Sequence, residues 1–428
     1  MLGSAAQNVV ALSDSVFLYH LSEVDFASIG FVGVFYLIVA AIGFGFSKGG
    51  QILIARRMGE GSYPEVSRTF YAMLYFELLM AIGMFLFMQY GCAWLFKLFV
   101  RSDLVFQKSM EYLHYRSWGV FFSYVGVALI ALYTGIARPM FILVSTAVLA
   151  ISNIILNYLL IFGHFGFPAM GIAGAGLAST LSEILAFAVF VVYMVLDKKN
   201  RLFHLGRLPS IDWTLIRLQL RISSPIIAQA FVGLGSWFIF FGIVENLGER
   251  ELAISNLVRM VYLILSIPVW GFASGINTLV SHFIGARKRQ AVLPIVWKTS
   301  KISWLSTMLL SLPVVLFPEQ LLYPLLGSSD MSLIRDSQPI LYVLLLILSL
   351  FALGGVYFNG LAGTGATFFG LKLQSVCVLL YLAYIYIVVE WTKGGLLWAW
   401  SAEVFYWVIV LGVSMWYLAS NRWHKLRM

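Results

Sequence analysis

The chain has 428 residues, of which 61% are hydrophobic and 11% charged, and its formal net charge is +9. That composition excludes an ordinary soluble domain, where about half the residues are apolar and about a quarter charged. It also makes membrane topology the first explanation to test for the basic balance, ahead of nucleic-acid binding.

Apolar stretches long enough to cross the roughly 30 Å hydrocarbon core as helices recur along the whole chain, and the short alternating segments of a β-barrel are missing. The predicted spans are 2–20, 27–55, 69–90, 117–135, 141–163, 171–196, 223–244, 252–281, 302–316, 339–363, 373–391 and 396–418. The expected fold class is therefore an all-α polytopic membrane protein with twelve transmembrane helices. The first span has no basic n-region and continues past any small-residue cleavage site, so it reads as a membrane helix and not as a signal peptide. Nineteen Lys and Arg residues follow even-numbered spans or lie in the C-terminal tail, and seven follow odd-numbered spans. By the positive-inside bias, both termini are expected on the cytoplasmic side of the inner (plasma) membrane. The lipid bilayer is thus an expected partner and nucleic acid is not. Cys92 and Cys377 lie in or beside apolar segments without CxxC spacing, which suggests neither a disulfide framework nor a metal site.

The most polar stretch, DKKNRLFHLGRLPSIDWTLIRLQLR, separates spans six and seven. It divides the chain into an N-lobe (1–196), a cytoplasmic linker (197–222) and a C-lobe (223–428). The two lobes repeat. GFGFSKGGQILIARRMGEG, from Gly43, aligns without gaps on VWGFASGINTLVSHFIGAR, from Val269, pairing Gly45 with Gly271, Gly49 with Gly275 and Gly59 with Gly285 at a shift of 226. Gly135 and Ala137 pair with Gly360 and Ala362 at 225, Glu183 with Glu403 at 220, and Gln7 with Gln229. The last pairing sets Ser236 in the place of Asp14. Six spans per lobe is an even number, so the repeat is parallel, as in transporters that bind substrate near the repeat interface and alternate access by moving one half against the other.

Asp14 lies six residues, about 9 Å at ~1.5 Å per residue, from the outer end of span one. Asn157 and Asn153 lie at similar depth on one face of span five, and Ser179 at similar depth in span six. An acid in that layer is costly in lipid, so it should face the lobe interior and find partners there. It can exchange a proton, or its oxygens and those of the amides and hydroxyl can hold a hard cation such as Na⁺. The other reading is that Asp14 caps a helix beginning at Ser15. Gln7, Thr180, Glu183, Arg259 and Glu403 are further candidates for a substrate or proton pathway. The matched positions of Glu183 and Glu403 also fit a packing role, and Gln7 lies deep enough to satisfy Glu183. Lys48 and Arg259 are the cations inside spans, and Lys48 can snorkel.

NIILNYLLIFGHFGFPAMGIAGAGLASTLSE (Asn153–Glu183) resembles the fifth-to-sixth-helix region of the multidrug and toxic compound extrusion (MATE) family. YLHYRSWGVFFSYVGVALIALYTGIARP, from Tyr112, is similar to its fourth helix, QILIARRMGEG, from Gln51, to the end of its second, and SDSVFLYHLSE to its first. The resemblance implies two six-helix lobes and cation-coupled export of organic, often cationic, compounds by a monomer. It also implies an N-lobe coupling site at the positions of Asp14, Asn153, Asn157 and Ser179. Where several members carry a second aspartate this chain has Asn157, which favours H⁺ over Na⁺, and a glutamate that one branch has on helix 7 is matched by Gly233. Members also have a proline in helix one, whereas this chain has none before Pro64, so its start is expected to lie upstream. No cofactor beyond the coupling ion is implied. A lipid-linked saccharide flippase is the alternative within this fold, and it would need a more cationic cavity. An enzyme is not expected, because the six histidines are scattered and no HExxH or GxSxG lies near an apolar span.

Overall fold

A computed structural model describes residues 2–425 apart from 204, 207, 327–330, 393 and 421, with side chains from Val10 onward except those of 198, 199, 201, 323–326, 390 and 425. The first half holds α1 (Leu2–Tyr19), α2 (Glu23–Glu60), α3 (Tyr63–Leu86), α4 (Cys92–Phe99), α5 (Asp103–Gly135), α6 (Met140–Phe162) and α7 (Ile172–Leu196). The second holds α8 (Trp213–Glu245), α9 (Glu249–Leu265), α10 (Ile267–Gly285), α11 (Val292–Leu316), α12 (Pro318–Leu326), α13 (Met331–Gly363), α14 (Thr367–Tyr386) and α15 (Leu396–Ala419). No strand occurs among the described residues. A π turn over Phe87–Gly91 joins α3 to α4. Ten helices, counting α3 with α4 as one, are long and apolar enough to cross a membrane, and α9 with α10 forms an eleventh span bent by 45°. With the shorter α1 these make the twelve helices of a multi-pass membrane protein.

The predicted eighth span is broken where Pro268 sits at the start of α10. A proline there lacks the N–H that would continue the ladder, and its ring crowds the carbonyl four residues back. The predicted fourth span starts fourteen residues late, because α5 begins at Asp103. Its first turns carry Ser109, Tyr112 and Arg116, which are buried, and side chains that face the protein interior lower the apolar signal without ending the helix. Arg116 therefore does not belong to the loop after span three, where the charge count placed it.

Two compact units emerge, Leu2–Ser224 and Pro225 onward, with the division inside α8 at Pro225. In the first unit α5 is the central helix, packed on α2, α3 and α7; in the second α13 has that place, packed on α10, α11 and α15.

Helix ends and close contacts give the register of the repeat. A Cβ on Gly135 would meet Ile54 Cγ2 at 2.7 Å and the Gln51 carbonyl at 3.2 Å, and one on Gly363 would meet the Asn277 carbonyl at 2.6 Å and Val280 Cβ at 3.1 Å. Gln51 and Ile54 are the partners of Asn277 and Val280 at the shift of 226, so Gly135 corresponds to Gly363 and not to Gly360. The lobes' last helices have Gly171 and Gly395 as N-caps. That shift of 224 pairs Ser179 with Glu403, and Glu183 with Trp407. The first helices end at Tyr19 and Glu245, and their successors begin at Glu23 and Glu249, so Asp14 corresponds to Phe240 and not to Ser236. These three sequence pairings were displaced by about one helical turn, which exceeds the usual uncertainty of one or two residues at helix ends, whereas the pairing of α2 with α10 at 226 stands. A three- or four-residue offset keeps side chains on the same face, so pattern matching does not detect it.

Gly363→Ala sets a methyl group against the Asn277 carbonyl, and overpacking of this kind costs about 1–3 kcal/mol. Thermal unfolding in detergent should show a lower midpoint for this variant and no shift for Gly412→Ala, whose added Cβ meets nothing within 4 Å.

Candidate functional site

Asp14 lies in the interior of α1 and is fully buried. The helix begins many residues before it, so the capping reading does not hold. Five residues separate it from the end of α1, about 8 Å at ~1.5 Å per residue. In α6, Asn157 is likewise five residues from the helix end, and Asn153 lies one turn deeper on the same face. Ser179 is seven residues into α7, and Tyr112 nine residues into α5. Four helices thus deliver side chains to one layer.

They converge on the carboxylate. Asn157 Nδ2 donates to Asp14 Oδ1 at 2.8 Å and Asn153 Nδ2 to the same oxygen at 3.3 Å. Ser179 Oγ donates to Oδ2 at 2.7 Å, and Tyr112 Oη donates there at 3.1 Å. Asn153 Nδ2 also reaches Ser179 Oγ at 3.1 Å, and Asn157 Nδ2 reaches Asn153 Oδ1 at 3.3 Å. An ionised carboxylate only accepts hydrogen bonds, and here each oxygen has two donors from neutral groups. Asn157 Oδ1 is buried without a hydrogen-bond partner.

One turn further along α5, Arg116 and Glu183 form a buried bidentate pair. Both hydrogen bonds are 2.7 Å, and the side chains are 1% and 3% exposed. The guanidinium lies 3.8 Å from the centre of the Tyr36 ring. Gly119 makes room for the pair, since a Cβ there would meet Arg116 Nη1 at 2.2 Å and Glu183 Oε2 at 2.6 Å. Thr180 Oγ1 donates to the Tyr115 carbonyl at 3.0 Å, tying α7 to α5. Arg116 has the place that Gln7 was expected to take beside Glu183; the Gln7 side chain lies outside the described residues. A cavity of about 160 Å³ adjoins these groups, lined by Val10, Ser15, Gly33, Tyr36, Tyr112 and Arg116 among others. It has room for several water molecules.

Sequence reasoning brought Asp14, Asn153, Asn157 and Ser179 together and missed Tyr112, Arg116 and Glu77. Tyr112 and Arg116 are four residues apart and so share a helix face, a signal that was present but fell outside the predicted span. Glu77 on α3 is fully buried and hydrogen-bonded by Ser47 of α2. Arg259 does not join a site of this kind. It is exposed on α9, with its guanidinium 4.9 Å from the Phe241 ring centre.

The C-lobe supplies an internal comparison. At the register above, Asp14, Tyr112 and Arg116 correspond to Phe240, Ile340 and Leu344, all in one buried hydrophobic cluster, and Ser179 corresponds to the buried Glu403. Phe240 packs against Tyr381 of α14, with ring centres 6.2 Å apart. The same fold therefore sets apolar side chains at the places of Asp14, Tyr112 and Arg116. Among the described residues no three or more His, Cys, Asp or Glu side chains gather to hold a metal ion.

Comparison with known proteins gives a match to the family model MatE over residues 1–159 and 225–387, one stretch in each lobe. A Thermotoga maritima relative described as "Probable multidrug resistance protein NorM" is 23% identical over 428 residues, covering 98% of this chain and 90% of its own. A relative with the same description from Mesorhizobium japonicum is 26% identical over 328 residues, covering 75% and 69%. Among solved structures, a multidrug resistance MATE family transporter of the MOP superfamily in its outward-facing conformation superposes with a TM-score of 0.88 at 19% identity, covering 98% of this chain and 93% of that one. A MOP superfamily transporter from Pyrococcus furiosus, described as having a binding pocket of reverse polarity, gives 0.87 at 19%, covering 100% and 94%.

Removing one partner of a buried ion pair leaves the other charge uncompensated, at a cost of about 3–5 kcal/mol. Arg116→Met should therefore lower the unfolding midpoint in detergent sharply, and Arg116→Met combined with Glu183→Leu should recover most of the loss.

Proposed function

The chain belongs to the MatE family, the multidrug and toxic compound extrusion transporters, and is a membrane carrier and not an enzyme; from that premise we propose that it exports organic, cationic or amphipathic compounds in exchange for protons, with Asp14 as the coupling group. The observation that carries this reading is the four-donor cage around Asp14, set beside the C-lobe, where Phe240 stands in the place of Asp14 and Ile340 in that of Tyr112. Burying a carboxylate is costly, and the first helix of the C-lobe meets the demands of the fold with Phe240 at this position. The relatives described as multidrug resistance proteins support the direction and the substrate class.

The geometry suggests how a proton does work. The cage satisfies the anion, so a protonated Asp14 brings a fifth donor into a ring of donors. The Ser179 and Tyr112 hydroxyls can turn to accept, whereas the two amides accept only through oxygen. Protonation removes the negative charge that strengthens all four bonds, and so weakens the hold of α5, α6 and α7 on α1. In this reading, that difference between two states biases the lobe toward releasing substrate. The excess of basic residues in even-numbered loops supports cytoplasmic termini in an inner membrane.

A second reading, Na⁺ coupling, draws on the unpartnered Asn157 Oδ1, an oxygen beside the carboxylate that a cation could take. A flippase for lipid-linked saccharides is less favoured. Of the cations buried in the N-lobe, Arg116 is neutralised by Glu183.

Inverted vesicles carrying the wild type, acid-loaded and then given a panel of cationic dyes, should release protons, and those carrying Asp14→Asn should not. Equal responses from the two proteins would remove Asp14 from the mechanism. A response that requires a sodium gradient in place of a proton gradient would select the second reading.

A further inference from the structure

At the end of the C-lobe where α11 begins and α13 and α15 finish, three helices enclose an apolar groove of about 640 Å³. Leu293, Pro294 and Trp297 line it from the first turns of α11, Tyr357 from α13, and Met415 and Trp416 from the end of α15. α13 packs on both of the other helices. Gly360, three residues after Tyr357, lets it approach them, since a Cβ there would meet Val296 Cγ2 at 3.0 Å and Leu418 Cδ1 at 3.8 Å. α13 thus forms the floor of the groove, and α11 and α15 form its walls.

Tryptophan is common at membrane interfaces and needs no special partner there. Here the two wall tryptophans each carry a cation on the ring face. Lys301 Nζ lies 4.5 Å from the centre of the Trp297 ring, and the Arg422 guanidinium 4.7 Å from that of Trp416. Lys301 is one turn deeper than Trp297 and reaches back along α11, as a long basic side chain does when it snorkels. Arg422 is placed by the tail after α15. The Trp423 indole donates to the Leu418 carbonyl at 3.0 Å, and Arg289 Nη1 donates to the His424 carbonyl at 3.1 Å. Neither Lys301 nor Arg422 forms an ion pair among the described residues. The sequence gives the reason. No Asp or Glu occurs between Glu251 and Glu319 or after Glu403, whereas residues 286–301 hold five Lys and Arg and residues 420–428 hold three. The groove therefore has apolar walls and a positive rim that these segments leave without a counter-ion.

We propose that this groove holds an anionic phospholipid, with an acyl chain between α11 and α15 and its phosphate between Lys301 and Arg422. A soluble anion has no use for the apolar walls, and a neutral lipid leaves the rim uncompensated. The charge bias that sets basic loops on the cytoplasmic side also sets this rim at the leaflet whose surface is negative, where each nearby Lys or Arg adds to the attraction. A lipid so held joins the C-terminal tail to α11, beside the tie that Arg289 makes. The proposal goes beyond the export reading and does not depend on which ion drives transport.

The test is native mass spectrometry of the whole chain released from detergent, titrated with phosphatidylglycerol and, separately, with phosphatidylcholine of the same acyl chains. The wild type should retain one phosphatidylglycerol under conditions that strip phosphatidylcholine. Lys301→Gln combined with Arg422→Gln should weaken that retention about 25-fold, at about fivefold for each basic side chain near an anionic headgroup. Arg217→Gln combined with Arg221→Gln removes the same charge from exposed positions on α8 and should leave retention unchanged. Ala419→Trp fills the groove from an exposed position without altering charge and should reduce the binding of both lipids. Unfolding midpoints without added lipid should agree across these variants, so that lost binding is not lost fold. Equal weakening by the two charge-removing pairs would mean unspecific attraction and overturn the site, as would equal retention of the two lipids. Displacement of the lipid by inorganic phosphate would make the occupant a free anion, and a doubled mass that Ala419→Trp abolishes would make it a second copy of the chain. Either result overturns the proposal.

Discussion

A carboxylate held away from water must have its oxygens occupied, and much of the N-lobe can be understood from that one requirement. Asp14 needs donors on both oxygens, and no single helix can supply them. They come from α5, α6 and α7, so the relative depth and rotation of four helices are fixed by hydrogen-bond distances of 2.7 to 3.3 Å. The neighbouring pair works in the same way one turn along. Arg116 cannot remain buried without Glu183, and the pair cannot form unless position 119 lacks a side chain. Polar groups that would weaken a soluble core here specify a unique packing, since each is satisfied only in one arrangement.

How much of this could be read from the residues follows from what periodicity can detect. Apolar runs separated the twelve helices well, because backbone polar groups have no partner in lipid other than the helix itself. Depth counting from span ends brought Asp14, Asn153, Asn157 and Ser179 into one layer, because the rise per residue is fixed. The same method lost Arg116. A hydropathy pattern treats a charge as an end, whereas a charge paired across the bundle interrupts nothing. Glu77 escaped for a different reason: nothing in the sequence distinguishes an acid that meets Ser47 from one that faces a headgroup. The repeat was visible, but its register was displaced wherever the match relied on one or two residues. It held at 226 for α2 and α10, where five identities and an ungapped run left no freedom.

The corrected register changes what the C-lobe says about function. With Ser236 opposite Asp14 the two lobes would differ by one polar substitution, and a hydroxyl would remain to suggest a weakened copy of the same site. With Phe240 there, Ile340 in the place of Tyr112 and Leu344 in that of Arg116, most of the layer is hydrophobic core, and the acid Glu403 stands opposite Ser179. The comparison then becomes a test of necessity. Two bundles of the same topology exist in one chain, one with phenylalanine, isoleucine and leucine at the places of Asp14, Tyr112 and Arg116, and the other with an acid and its donors there. Apolar side chains are the more economical way to hold such a layer together, since they pack by van der Waals contact and leave no polar group to satisfy. A cage of polar groups gives a smaller net return, since each hydrogen bond replaces one that was available before the lobe closed.

What the cage offers instead is a dependence on the charge it surrounds. An apolar layer has no variable to which it can respond. The Asp14 network has one, because its donors bond more strongly to a carboxylate anion than to a neutral protonated acid. Its strength is therefore tied to proton occupancy, and the elements that it joins, α1 to α5, α6 and α7, are the ones a proton can bind together or release. A coupling ion needs a structural element with two arrangements of nearly equal free energy, and a hydrogen-bond network that is stronger in one charge state provides the difference between them. That is a reason for the lobe that lost hydrophobic packing at this layer to be the one with the acid at its centre.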